Sequence, residues 1–185
     1  MIEVRWHGRG GQGGWSAARL LGAAAALHEG RHAMAFPSFG PERRGAPVLG
    51  FTRIDEVRIK DRSEVLDCDA VVVLDETLVE PGVARGLKAG GFALVNTKDP
   101  AKYAAVFAGA AGVRLVGIDA TGIALEILGK PITNTAMLGA LVGATGFVSL
   151  EAALKAIHSE MRGDLAAKNA EVLRRAYAEA KGASA

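Results

Sequence analysis

The segment Ile2-Glu3-Val4-Arg5-Trp6-His7-Gly8-Arg9-Gly10-Gly11-Gln12-Gly13-Gly14 decides the fold. Residues 2–6 alternate apolar and polar side chains, as a strand does. Glycines at 8, 10, 11, 13 and 14 follow, and Trp15 to His28 is rich in alanine and leucine, the composition of a helix. Strand, glycine turn and helix in that order make half of a βαβ unit. In this context Gly8-x-Gly10-x-x-Gly13 has the character of a phosphate-binding turn. Glycine accepts positive φ and lets a ligand approach the backbone, and a helix N-terminus offers N–H groups without intrahelical partners. A dinucleotide site also needs a carboxylate at the end of the second strand to hold a ribose. Glu29 comes before that strand and no acidic residue ends it, so NAD is disfavoured. The same glycines equally suit a structural role, the close packing of a helix on a sheet. Gln12 adds an amide able to bond a phosphate oxygen, a carbonyl or another subunit.

Working outward, His32 to Phe36 is a short strand candidate. Pro37, Pro41 and Pro47 make 36–47 a stiff loop, incompatible with a regular helix or central strand. Val48 to Ile54 and Val57 to Lys60 read as two strands joined at Asp55-Glu56, an antiparallel hairpin. The continuous apolar run Ala70-Val71-Val72-Val73-Leu74 is the pattern of a parallel strand covered by helices on both faces. Phe92 to Val95 and Arg114 to Ile118 repeat that pattern, with helices expected over Thr77 to Leu87, Pro100 to Phe107 and Ala120 to Leu128. Asn134 is placed to cap Thr135 to Thr145, and Ser149 to cap Leu150 to His158. Asp164 to Lys181 carries Leu165, Val172, Leu173 and Tyr177 on one side. The expected fold class is therefore α/β: a single Rossmann-like domain over residues 1–181, with a mostly parallel central sheet, a β-hairpin insertion near 48–60 and a C-terminal helical layer. Residues 182–185 are expected to be a frayed tail.

Half of the 185 residues are hydrophobic, enough for a sizeable core in one domain. The 22 basic and 20 acidic residues are scattered, so no basic run proposes nucleic acid as a partner. The N-terminus lacks the pattern of a signal peptide, and no apolar run reaches the roughly 20 residues of a membrane span. A cytoplasmic protein without membrane contact is expected. A lone cysteine, Cys68, excludes an internal disulfide and cannot supply the four thiolates of an iron–sulfur cluster. It reads as a small semi-buried residue, not a nucleophile. His7, without a visible partner, reads as a structural hydrogen-bonder, and Asp67, Asp69, Asp75 and Glu76 as the solvated ends of the valine-rich strand rather than a metal site. Asn134-Thr135 is a cap first and a ligand contact second.

Taken together, His7-Gly8-Arg9-Gly10-Gly11-Gln12-Gly13 and Phe36-Pro37-Ser38-Phe39-Gly40-Pro41-Glu42-Arg43-Arg44-Gly45-Ala46-Pro47 resemble the gamma subunit or domain of 2-oxoacid:ferredoxin oxidoreductases. Arg43-Arg44 and Ala46-Pro47 are more similar to pyruvate-type members than to 2-oxoglutarate-type ones, and Asn134-Thr135-Ala136-Met137-Leu138-Gly139-Ala140 extends the resemblance along the chain. In such enzymes, the resemblance implies, thiamine diphosphate attacks the 2-oxoacid carbonyl, CO₂ leaves, electrons pass through iron–sulfur clusters to ferredoxin, and CoA takes the acyl group. The reaction expected is pyruvate and CoA to acetyl-CoA and CO₂, or its reverse. Thiamine diphosphate, magnesium and the clusters would sit on alpha, beta and delta partner subunits, leaving this chain without catalytic or metal-binding residues and inactive alone. Its expected contribution is structure together with CoA contacts from Gly8, Arg9, Gly10, Gly11, Gln12, Gly13, Ser38, Arg43 and Arg44. Open beside this are a free-standing nucleotide-binding module, a purely structural adaptor, and a related 2-ketoisovalerate or 2-oxoglutarate enzyme. The 36–47 loop also suits a rigid intersubunit contact, with Phe36, Phe39 and the prolines as anchors and Glu42 paired with an arginine.

Overall fold

The computed structural model describes residues 1–38 and 45–183. Among them, six strands form one sheet: β1 (Ile2–Arg9), β2 (His32–Pro37), β3 (Pro47–Asp55), β4 (Cys68–Val73), β5 (Leu87–Asn96) and β6 (Arg114–Ile118), in the order β2-β3-β1-β4-β5-β6. β1, β4, β5 and β6 are mutually parallel. β3 is antiparallel to both its neighbours, β1 and β2. The helices are α1 (Gly14–His28), α2 (Ala104–Phe107), α3 (Ala120–Leu128), α4 (Asn134–Thr145), α5 (Leu150–Glu160) and α6 (Gly163–Ala183). None of the described helices is long and apolar enough to cross a membrane.

Strand alternation divides the core into two clusters. Val4, Trp6, Ala70, Val72, Phe92 and Leu94 face α1 and the C-terminal helices. Val71, Val73, Ala93 and Val95 face the opposite side with Phe51, Val65, Val83 and Tyr103. The buried indole of Trp6 donates to Thr52 Oγ1 at 3.0 Å, and Thr52 in turn donates to the Ala18 carbonyl at 3.0 Å, so α1 is tied to β1 and β3 through satisfied polar groups. α4 is the central helix, buried on nearly every side, as its apolar composition all round requires. Gly139 and Gly143 lie one turn apart on it. A Cβ at either would run into the backbone of α6 at Leu173 or Tyr177, so the absence of side chains is what lets the two helices pack backbone to backbone.

Several expectations are corrected. No strand forms over 57–60: both edges of β3 are already paired, and the hairpin is instead β2–β3, over residues 32–55. The buried Arg53 guanidinium bonds the carbonyls of Asp61 and Ser63 at 3.0 and 2.8 Å, holding the segment after β3 in an irregular path. No helix spans 77–87, where two 3-10 turns stand, Glu76–Leu78 and Pro81–Ala84. Pro81-Gly82 interrupts helical bonding there, and the carbonyls of Val83 and Arg85 turn inward to the buried Arg5 instead of along a helix. The segment 100–107 is a 3-10 turn, Pro100–Tyr103, followed by the single turn of α2. Asn134 is the first residue of α4 rather than its cap, and its Oδ1 accepts from Thr135 N–H at 2.9 Å. Ser149 does cap α5, accepting from Ala152 N–H at 3.1 Å. Leu165 is exposed, while Val172 and Leu173 are buried. α6 runs to Ala183, two residues past the expected boundary.

Candidate functional site

Strand order reverses between β1 and β4: β1 leads through α1 to β2 on one side, and the chain later returns to β4 on the other. The carboxyl ends of two parallel strands that diverge in this way bound a crevice, the usual ligand position in an open α/β sheet. The glycine loop occupies it. Gly11 and Gly13 take φ +94° and +78°, the left-handed region that favours glycine. Gly13 also lies directly against Asn134, at the start of α4, where a Cβ would stand 2.7 Å from the amide nitrogen.

The side chains expected to meet a ligand are largely spent inside the protein. Gln12 accepts the Arg9 backbone N–H with Oε1 at 2.7 Å and donates from Nε2 to Asp75 Oδ2 at 3.0 Å. Arg9 pairs with the same Asp75 oxygen at 3.0 Å and donates to Thr77 Oγ1 at 2.8 Å and to the Gly45 carbonyl at 3.1 Å. Thr77 caps the other Asp75 oxygen through its N–H at 3.0 Å and its hydroxyl at 2.6 Å. Partial burial alone would raise the Asp75 pKa, but hydrogen bonds from Thr77, Gln12 and Arg9 together hold it below the usual carboxylate range. The result is a latch that pins the loop to the end of β4.

Both sequence signatures meet here. Gly10 N–H donates to the Ala46 carbonyl at 2.9 Å, and Gly45 N–H donates to the Gly10 carbonyl at 3.1 Å. Gly8 is the penultimate residue of β1, and a Cβ there would face Gln12 and Leu74. Ser38 N–H bonds the Leu49 carbonyl at 3.0 Å and its hydroxyl donates to Glu64 at 2.6 Å, so the hydroxyl oxygen keeps acceptor capacity only. Arg43 and Arg44 lie outside the described residues. The N–H groups of Gly11 and Gly13 make no hydrogen bond among the described residues.

Two clefts flank the loop. One, of about 780 Å³, is lined by His7, Gly8, Arg9, Ser38, Thr77, Leu78 and Val83 among others. The second, of about 580 Å³, is lined by Gly10, Gly11, Gly13, Gly14, Trp15 and Ser16, and the two share Arg9, Ser38, Val48 and Leu49. Trp15, 37% exposed, stands beside the glycines and was passed over in the sequence because it reads there as an ordinary helix residue. Asp75 and Thr77 were also missed as partners of the loop, although an aspartate ending an apolar strand two residues before a threonine is a readable turn signal. Beneath the first cleft, Arg5 is buried and bonds the carbonyls of Val65, Leu66, Val83 and Arg85, with Nε donating to His7 Nε2 at 3.1 Å. Burial and then the Arg5 charge lower the His7 pKa to about 3, so the imidazole is neutral. Burial pushes the Cys68 thiol up to about 11, keeping it protonated. Asp67 precedes β4 and Asp69 is its second residue, bonding Glu3 N–H at 2.7 Å and Lys88 at 3.1 Å; Glu76 accepts from Thr97 and Tyr103, both at 2.8 Å. Among the described residues no group of three potential ligands could hold a metal ion.

The chain matches the family described as pyruvate ferredoxin/flavodoxin oxidoreductase over residues 3–179. It is 49% identical to the pyruvate/ketoisovalerate oxidoreductases common subunit gamma of Thermococcus kodakarensis, over 96% of both chains. It is 50% identical to pyruvate synthase subunit PorC of Methanothermobacter thermautotrophicus, over 97% of this chain and 96% of that one. The crystal structure of pyruvate oxidoreductase subunit PORC of Thermotoga maritima superposes with a TM-score of 0.85 at 42% identity, covering 96% of each chain. A 2-oxoglutarate:ferredoxin oxidoreductase from Magnetococcus marinus, solved with 2-oxoglutarate, coenzyme A and succinyl-CoA bound, shares the fold at a TM-score of 0.75 and 18% identity, over 98% of this chain and 31% of that one. The latched glycine loop at the switch point is thus carried by a chain that belongs to the pyruvate ferredoxin/flavodoxin oxidoreductase family, as a gamma subunit of that multi-subunit oxidoreductase.

Proposed function

We propose that the chain serves a cytoplasmic complex that converts pyruvate and CoA to acetyl-CoA and CO₂, or the reverse, and that its own part is to hold CoA at the glycine loop. Thiamine diphosphate, magnesium and iron–sulfur clusters belong to alpha, beta and delta partners, and ferredoxin takes the electrons. The donor set of this chain does not fit a cluster: its one cysteine is buried and protonated, where four thiolates are needed.

The observation carrying the CoA reading is the pair of N–H groups at Gly11 and Gly13, without partners among the described residues, on two residues that line a cleft beside the N-terminus of α1. Phosphate oxygens satisfy such groups and the positive end of the helix dipole favours their charge. The Asp75 latch holds the loop in this conformation before the ligand arrives, so little ordering cost falls on binding. Ser38, as an acceptor from an N–H or O–H of the ligand, and the arginines at 43 and 44 complete the proposed contacts. The chain's residues bind and orient CoA; the bond-making steps take place on partner subunits.

Gly11→Ala in the assembled enzyme tests this. Its Cβ would meet nothing in the protein within 4 Å, so beyond the backbone strain of an L residue at φ +94° the methyl group clashes with no neighbour and projects into space a ligand would use. The apparent affinity for CoA should fall while the affinity for pyruvate stays unchanged. An unaltered CoA affinity would refute the assignment. A second reading, a loop that only supports a sibling subunit, is favoured by the internal use of Arg9, Gln12 and Gly10 N–H. It requires instead that the substitution weaken assembly and spare CoA.

A further inference from the structure

His7 has one ring nitrogen committed and the other available. Arg5 donates Nε–H to His7 Nε2 at 3.1 Å, and a guanidinium is always a donor, so Nε2 carries the lone pair. A neutral imidazole with an accepting Nε2 has its proton on Nδ1. Arg5 cannot turn away, because its NH1 and NH2 groups are held by four backbone carbonyls from the two segments packed beneath β1. Nδ1 makes no hydrogen bond among the described residues, and His7 lines the larger cleft with Leu49, Leu78 and Val83. The charged groups around that wall are Arg5 and Arg9 on its own strand and Glu80 from the segment packed across it, while the residues paired with His7 on β3 and β4, Leu49 and Val73, are uncharged.

We infer that His7 is a fixed, neutral Nδ1–H donor to an uncharged carbonyl-bearing ligand segment, and that the larger cleft takes the amide-bearing pantetheine arm of CoA while the smaller takes its phosphate-adenosine end. This rests on the CoA reading above and gives the ligand a direction across Arg9, Val48 and Leu49, which line both clefts. An anionic group would gain most from a cationic imidazole, and the geometry here forbids one. An amide carbonyl asks only for a neutral donor, and His7 offers one beside the apolar side chains of Val48, Leu49, Leu78 and Val83.

Two measurements test it. Imidazole nitrogen NMR of the full chain, with His7 assigned by substitution, should show Nδ1 protonated and Nε2 bare across neutral and mildly acidic pH. A protonated Nε2, or a titration within that range, overturns the inference. On the assembled complex, calorimetry with pantetheine and with 3′,5′-ADP separates the two ends of the ligand. His7→Phe should weaken pantetheine binding about three- to tenfold, the effect of one hydrogen bond to a neutral acceptor, and leave 3′,5′-ADP unaffected. His7→Asn, which sets an amide donor where Nδ1 stands, should recover most of that loss. If 3′,5′-ADP binds but His7→Phe leaves pantetheine unchanged, or weakens both fragments alike, the orientation is wrong and the phosphate site survives. If neither fragment nor CoA responds to changes in this chain, both readings fall.

Discussion

Replacing Gly13 by alanine should destabilise the chain far more than replacing Gly11, although both lie in the same loop. Each residue sits at positive φ, +94° at Gly11 and +78° at Gly13, where an L side chain costs about 1–2 kcal/mol. The lost freedom of the unfolded chain returns about 0.4–1 kcal/mol at either site. Gly11→Ala should therefore cost between about zero and about 1.6 kcal/mol, since its Cβ meets nothing within 4 Å. At Gly13 the Cβ would lie 2.7 Å from Asn134 Nδ2, 3.0 Å from its Cγ and 3.2 Å from its Cβ. Asn134 is buried at the first turn of α4 and its Oδ1 holds Thr135 N–H, so it cannot swing aside without losing that bond. Overpacking of this kind adds about 1–3 kcal/mol, for roughly 1–5 kcal/mol in all. Urea unfolding of the purified chain gives both values, and the double variant Gly13→Ala with Asn134→Ala isolates the clash, because removing the amide should recover about 1 kcal/mol or more through non-additivity. Equal costs at the two glycines, or strict additivity with Asn134→Ala, would show that the loop does not lean on α4 as described.

Three further outcomes are expected. The folded His7 pKa of about 3 lies below the unfolded value of 6.5, so the unfolded chain alone takes up a proton as pH falls. Stability is then full above the unfolded value and drops toward the folded one, by about 2 kcal/mol near pH 5 at about 1.4 kcal/mol per unit, and unfolding of His7→Asn should lack that slope. Gly139→Ala places a methyl group against the Leu173 backbone carbonyl and should lower stability by about 1–3 kcal/mol in a melt; a neutral result would mean α4 and α6 are not in backbone contact. Cys68, buried with its thiol pushed up to about 11, should react with a thiol-specific disulfide reagent only after denaturant is added, and rapid labelling of the native chain would contradict its burial.

The parallel half of the sheet was legible because its strands announce themselves. Ala70 to Val73 is apolar without interruption and buried on both faces, and Phe92 to Val95 likewise, so periodicity and length sufficed. The antiparallel half was not, because a local hairpin and a non-local pair leave the same mark on sequence. Val57 to Lys60 has strand composition, yet β3 had no free edge to give it. The expected helix over 77–87 failed for a tertiary reason: a buried arginine eighty residues away in sequence from Arg85 claims carbonyls that a helix would have used.

The same contrast explains what could be read of the site. Glycine at 11 and 13 is a local backbone requirement, visible wherever the chain must take positive φ, and the loop was accordingly placed correctly between β1 and α1. The polar groups that set its chemistry are joined across 63 to 66 residues, Gln12 and Arg9 to Asp75, and no periodicity carries such a pairing. Gln12 and Arg9, read from sequence as ligand contacts, also hold the loop to Asp75 at the end of β4, which their sequence positions did not announce. With those side chains committed, the proposed CoA contact would rest on backbone N–H groups in a conformation already fixed. On the proposed CoA reading, selectivity for the rest of the ligand would fall to side chains that the latch leaves uncommitted, Trp15 beside the glycines and the Nδ1–H of His7 in the adjoining cleft.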